Sequence, residues 1–175
     1  MPKQLNSNYH KALWYQDSQD AIKRTYGDYA NLFSAFLVAT SPNCMLNTNV
    51  TLARKAWNYW YASKPFPREA FIKSAYSCLN TFINTQRFFG RKTHAFWLAL
   101  QGNQNAIVID VWIMRHFGYT NKVPTKRQYE AISVIIAYEA GGQGFTPCQW
   151  QAVLWCNERQ DCTTYADYLR QEVLL

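Results

Sequence analysis

Apolar side chains recur along this chain at the three-and-four spacing of helices and almost nowhere in strand-like alternation. Residues 20–40 carry Leu32, Phe33, Phe36 and Leu37 on one helical face, and Ser41-Pro42 stops the run. Over 49–63, Leu52, Ala53, Ala56, Trp57 and Trp60 share one side, before Pro65 and Pro67 break the chain. A third helix, 68–84, sets Phe71, Ala75, Cys78, Leu79 and Phe82 at helical intervals. A fourth spans 92–100 and ends at Gln101-Gly102-Asn103. Ala106–Ile109 is the only strand-like run, too short to found a sheet.

The second half is punctuated by caps. Asp110 stands directly before VWIMRHFG and Gly118 closes that segment, a matched start and stop. Thr125 with Gln128 forms a capping box that opens a helix through Glu139, ending at Gly141-Gly142. Thr146 with Gln149, and Pro147 at the first helical position, opens another to about Asn157. Thr163 or Thr164 caps a last short helix ending near Leu175. The pattern predicts an all-α domain over 1–175, of about eight short helices in two closely packed lobes.

Composition agrees with helices. Only 7 Gly and 6 Pro punctuate 175 residues, which leaves few tight turns. At 49% hydrophobic the chain has material for a sizeable core and is not disordered. No apolar run approaches the ~18 residues of a membrane span. The first residues, MPKQLNSNYHKALWYQ, hold no hydrophobic stretch of a secretory leader, so a cytoplasmic location and no membrane partner are expected. The five cysteines include no C-x-x-C pair and are expected to be thiols. Cys148, Cys156 and Cys162 lack the fourth thiolate of an iron–sulfur site, and His10, His94 and His116 are scattered, so no metal and no cofactor are expected.

The charge changes the picture more. A net +7 points to an anionic partner. Gly90-Arg91-Lys92 falls at a helix–helix corner, where backbone N–H groups and the positive end of a helix make a seat for phosphate, with Arg87 and Arg91 beside it. Lys92 lies on the first turn of that helix, and Asp110 opens the next one 18 residues on. An amine nucleophile near a carboxylate is the minimum set for imine-forming attack on a sugar C1′.

These residues resemble those of the helix-hairpin-helix DNA glycosylases, the superfamily of endonuclease III and the 8-oxoguanine glycosylase/lyases. There a hairpin ending in Gly-x-Lys is followed 18 to 20 residues later by an essential Asp at a helix start, matched here by Gly90-Arg91-Lys92 and Val108-Ile109-Asp110-Val111. Ala39-Thr40-Ser41-Pro42, with Asn47 and Asn49, resembles the family's passage from its first helix to the second. Pro147-Cys148-Gln149-Trp150 through Trp155 resembles the returning helix that closes the base pocket. The likeness covers about 28–157 and is greatest to the compact 8-oxoguanine enzymes. It departs in keeping one hairpin glycine of the usual two, in Trp112 where a His is common, and in ending Val173-Leu174-Leu175 rather than on Lys.

The resemblance implies a helix-hairpin-helix motif, with hairpin and catalytic segment at about 84–118. It implies a monomeric base-excision glycosylase/AP lyase acting on damaged double-stranded DNA, with 8-oxoguanine the leading candidate base. Lys92 and Asp110 would be catalytic, and Gly90, Arg87 and Arg91 would hold phosphate. Phe96, one turn beyond Lys92, and Trp150 would sandwich the extruded base, with Gln149, Gln143 and Asn49 reading its edge. The alternatives are a helix-hairpin-helix module that binds DNA without chemistry, and a helical interaction protein whose charge is incidental.

Overall fold

A computed structural model describes residues 8–170. A helical turn at 8–12 leads into α1 (Trp14–Tyr26), α2 (Ala30–Thr40), α3 (Leu46–Tyr61), α4 (Lys73–Thr85) and α5 (Arg91–Leu100). There follow α6 (Val111–His116), α7 (Lys126–Gln143), α8 (Pro147–Arg159) and α9 (Tyr165–Leu169). The fold is all-α, and the described residues contain no strand.

Several boundaries differ from the sequence expectation. The helix expected over 68–84 begins only at Lys73, since Arg68–Ala70 is a separate 3₁₀ turn and Phe71 is extended. The run expected as one helix over 20–40 is two, because Gly27 turns to φ +53 and a 3₁₀ turn, Gly27–Tyr29, redirects the chain. Trp14 to Gln19 belong to the first of them, a helical stretch whose apolar face is thinned by the buried Ser18 and Gln19. Ala106–Ile109 runs as irregular chain into the Asp110 cap. The α7 helix passes through Gly141-Gly142 and stops at Gly144, the residue that takes the left-handed φ of +75. The expected end near Leu175 falls outside the described residues.

Two hydrophobic cores divide the chain. The larger gathers α1–α5 and α9 around α2, whose residues from Phe33 to Thr40 are all buried. A helix enclosed on every side shows little amphipathic contrast. The smaller core joins Ile109, Ile113 and Met114 of the α6 region to Ile132 and Ile136 of α7 and Leu154 of α8. The α8 helix serves both. Cys148, Ala152 and Cys156, four residues apart, face the larger core, whereas Trp150 and Leu154 face the smaller. Trp155 packs against both and marks the seam between them.

Asn49 ties the larger core together. Its amide donates to the Leu37 carbonyl (2.9 Å) and the Thr40 hydroxyl (2.8 Å), and its oxygen accepts from the Tyr165 hydroxyl. The residue is buried, and its polar atoms serve α2, α3 and α9. Asn49, expected to read a base edge, is instead an internal fastener, because it is buried and both ends of its amide are bonded within the core. Replacing Asn49 with Ala strands the Tyr165 hydroxyl and the Leu37 carbonyl. We expect a loss of about 2–4 kcal/mol, read as a lower urea midpoint at unchanged slope.

Candidate functional site

The hairpin between α4 and α5 is built by its local chemistry. Gln86 turns left-handed (φ +56) and its N–H closes α4 on the Phe82 carbonyl at 2.7 Å. The next amide, of Arg87, donates to the Thr85 hydroxyl at 3.3 Å. Phe88 folds inward, its ring stacked 4.8 Å from Phe82 and 5.9 Å from Trp97, so an aromatic plug sets the spacing of the two helices. Phe89 points outward and is 74% exposed. Gly90 is the N-cap of α5 at φ −77, ψ 135, a conformation open to any residue. Its value lies in having no side chain, since α5 starts without a side-chain cap on its first-turn N–H groups. The left-handed turn of the hairpin falls at Gln86, four residues earlier than the glycine.

Arg87, Arg91 and Lys92 are all exposed on this corner. Arg91 lies across the Tyr129 ring of α7, 6.0 Å from its centre, so the hairpin touches the smaller core's helix. The Tyr129 hydroxyl donates to the Ile107 carbonyl at 2.7 Å, which fixes the segment entering Asp110. Burial raises the Tyr129 pKa and Arg91 pulls it back. On the other side, Lys92 lies within electrostatic reach of Cys44, in the α2–α3 connection, whose thiol is pushed up by burial and lowered again by that ammonium. Lys92 thus lies on the exposed corner of α5, on the side of the α2–α3 connection.

Asp110 lies at the seam between the two cores, where Trp155 reaches it. One oxygen accepts from the N–H groups of Trp112 (2.9 Å) and Ile113 (3.1 Å), which is the expected N-cap of α6. The other accepts from the Trp155 indole Nε1–H at 2.9 Å. Three N–H donors pin the carboxylate, and no ion pair joins it to Lys92 among the described residues. Behind it stands Tyr15, whose pKa rises through burial and through the nearby Cys148, Asp110, Tyr165 and Cys156.

The remaining expected residues scatter, and the two cores explain how. Phe96 is buried in the larger core, 6.4 Å from the Tyr15 ring and 6.5 Å from Tyr165, so it is a packing residue and not an open stacking face. Trp150 belongs to the smaller core, stacked 5.9 Å from Phe145, its indole N–H on Glu139 at 2.9 Å. The two rings therefore do not form the expected sandwich. Gln149 completes the α8 capping box, accepting the Thr146 N–H at 3.0 Å, and its side-chain oxygen is spent there. Gln143 and Trp150 line a cavity of about 590 Å³ with His116, Tyr138, Glu139 and Leu154, beside α7 and away from the hairpin. Tyr15 and Tyr129, which border Asp110 or its lead-in, carry no mark in the sequence, and Trp155 enters it only as the end of the returning helix. Each meets its partner from another part of the chain, so no local spacing signals it.

All five cysteines are free thiols. Burial pushes Cys78 up to about 11 and Cys148 up to about 12. Among the described residues no three His, Cys, Asp or Glu side chains converge in a metal-holding group, and no helix is long and apolar enough to cross a membrane.

Residues 6–161 match the profile of a family described as "Family of unknown function (DUF7178)". The chain belongs to the DUF7178 family. No curated protein and no solved structure matches it. In this DUF7178 chain Asp110 lies where the two cores meet and Lys92 on the exposed corner of α5, while Phe96, Asn49 and Trp150 are committed to the cores.

Two predictions follow from these groups. Asp110→Asn keeps the cap oxygen but turns its amide nitrogen toward the Trp155 indole N–H, and is expected to lose about 1–2 kcal/mol, whereas Asp110→Ala, which loses the cap as well, loses about 2–4 kcal/mol; urea unfolding distinguishes them. The second concerns alkali. Tyr15, Tyr165, Cys148 and Cys156 all have folded pKa values raised chiefly by burial. The unfolded chain releases these protons from about pH 8.5 for thiols and about 10 for phenols, while the folded chain keeps them. Stability is therefore full below those values and falls as pH rises past them. The urea midpoint should drop between about pH 9 and 10.5, and Tyr165→Phe should lessen the upper part of the drop.

Proposed function

We propose that this DUF7178 protein is a DNA base-excision glycosylase with AP lyase activity on an oxidised purine, 8-oxoguanine first among them. The observation that supports the reading is the pair of features it needs: an exposed Gly-Arg-Lys corner at the start of α5, and the capped, thrice-bonded carboxylate of Asp110 at the start of α6. The amine is not tied up in an ion pair with that carboxylate among the described residues. The surplus of positive charge, +7 overall, suits a DNA backbone.

In the proposed reaction the hairpin's first-turn N–H groups, with Arg87 and Arg91, hold phosphate beside the flipped nucleotide. Lys92 Nζ, deprotonated, attacks C1′ as the C1′–N9 bond breaks and the base leaves with the bonding pair and takes up a proton. Asp110 offsets the positive charge that develops on the sugar, an electrostatic role suited to a fixed acceptor. Loss of a second proton from nitrogen, with ring opening, gives the Schiff base. Removal of a C2′ proton then expels the 3′ phosphate by β-elimination. The protein acts as a monomer in the cytoplasm and requires no cofactor in this scheme.

A second reading is favoured by one specific observation. Phe96 and Asn49 are committed to the larger core and Trp150 to the smaller, so the aromatic sandwich of a base pocket is not formed by those residues. A helix-hairpin-helix module that grips DNA without excision fits that arrangement. Sodium borohydride with an abasic-site duplex separates the two. The enzyme reading expects a covalent protein–DNA adduct that disappears in Lys92→Gln. It also expects Asp110→Asn, still folded by circular dichroism, to release 8-oxoguanine at least about 100-fold more slowly. Salt-sensitive DNA binding with neither adduct nor base release establishes the module instead. Absence of DNA binding at low salt removes both.

A further inference from the structure

Asp110 makes one contact in the seam that its cap does not need. An N-capping Asp requires one oxygen for the first-turn amides, and Asp110 gives one oxygen to Trp112 and Ile113. Its second oxygen is taken by Trp155, which arrives from α8, 45 residues away in sequence, at 2.9 Å. We propose that Trp155 is a positioning residue that orients Asp110 for base excision, and this deepens the reading of the seam given above.

The surroundings of Trp155 are built to fix the indole. Its ring lies edge-on to Trp14 at 5.2 Å, and Trp14 is itself anchored by its own N–H on the Thr163 carbonyl at 2.8 Å. The Arg159 guanidinium, one turn further along α8, covers the indole at 4.1 Å. Arg159 is in turn held by Asp161 at 3.0 Å, and Asp161 by the Thr163 amide and hydroxyl at 2.8 and 2.5 Å. A cation over an indole draws electron density from the ring and makes the N–H a stronger donor. The sequence Asp161–Arg159–Trp155–Asp110 therefore alternates acceptor and donor from the end of α8 to the seam.

The mechanical consequence is directional. The cap alone leaves the carboxylate able to pivot about its bonded oxygen. The indole removes that freedom and holds the plane of the group while positive charge develops on a neighbouring sugar. Fixed acceptors of this kind stabilise a transition state without reorganising at the moment of reaction. A carboxylate free to pivot would still cap α6 and still bind DNA, so the loss should appear in turnover and not in affinity.

The test has two arms. In the first, the tryptophan indole N–H signals of the full chain are recorded by ¹⁵N-edited NMR, with the Trp155 signal identified by its absence in Trp155→Phe. Asp110→Asn, which can turn its amide nitrogen toward the indole, should move the Trp155 signal upfield and leave signals remote from the seam in place. A Trp155 signal indifferent to Asp110→Asn overturns the coupling. In the second arm, Trp155→Phe, which keeps a ring of similar packing, is assayed on 8-oxoguanine duplex and by borohydride trapping on abasic duplex. We expect kcat to fall at least about tenfold, with Kd for the duplex within about twofold of the parent. A variant that excises at the parental rate overturns the proposal. If the parent protein itself traps no adduct and releases no base while the indole signal still follows Asp110, the excision reading falls and the Trp155–Asp110 coupling stands as a separate result.

Discussion

Everything at the seam depends on one helix having to satisfy two cores. The α8 helix presents Cys148, Ala152 and Cys156 to the larger and Trp150 and Leu154 to the smaller. Each face is narrow, so α8 is held by both cores at once. Burying a side chain such as Leu154 contributes roughly 1.5–3 kcal/mol, and that gain is available only while α6 and α7 lie against the same helix. The cores are therefore coupled through α8, and the position of Asp110 follows. Its helix, α6, is six residues long and cannot orient itself; it is located by Ile113 and Met114 in the smaller core and by the indole of Trp155.

The hairpin is placed by a different kind of constraint. Phe88 between Phe82 and Trp97 fixes how α4 and α5 meet, and α5 docks on α2 through the larger core. Its basic corner is thus carried by one core while the carboxylate is located by the other. Arg91 over Tyr129 is the contact that crosses between them near the hairpin. The relation of Lys92 to Asp110 consequently depends on how the two cores sit together, with α8 as the common member, and not on any direct bond between the two side chains.

The features legible in the sequence were those whose cause is local. The Asp110 cap and the boxes at Thr125–Gln128 and Thr146–Gln149 are three-residue relations, and each is present with its hydrogen bonds. The all-α class followed from periodicity in the same way. The first helix pair was not legible, because one glycine among helix formers turned the chain at Gly27 while the apolar period continued on both sides. Asn49, Phe96 and Trp150 were misplaced for a third reason. Asn49 meets Tyr165 and Phe96 meets Tyr15 across 116 and 81 residues, and spacing along a helix does not say which of two cores a face will enter. A polar residue beside a helix start looks the same in sequence whether it reads a ligand or fastens a core.

Asp110 shows how a structural and a chemical role can occupy one side chain without conflict. A cap uses a carboxylate as an acceptor, and the electrostatic stabilisation of a cationic sugar uses it the same way. Neither asks it to take up a proton or form a bond. Three N–H donors already occupy the carboxylate, so a role that keeps it as a fixed acceptor is the one that leaves the cap intact. In the proposed reaction bond formation then falls to the exposed amine of Lys92. The same economy explains why a fold can keep such a residue at the start of a helix too short to be stable alone: the carboxylate that helps the helix form is held still by forming it.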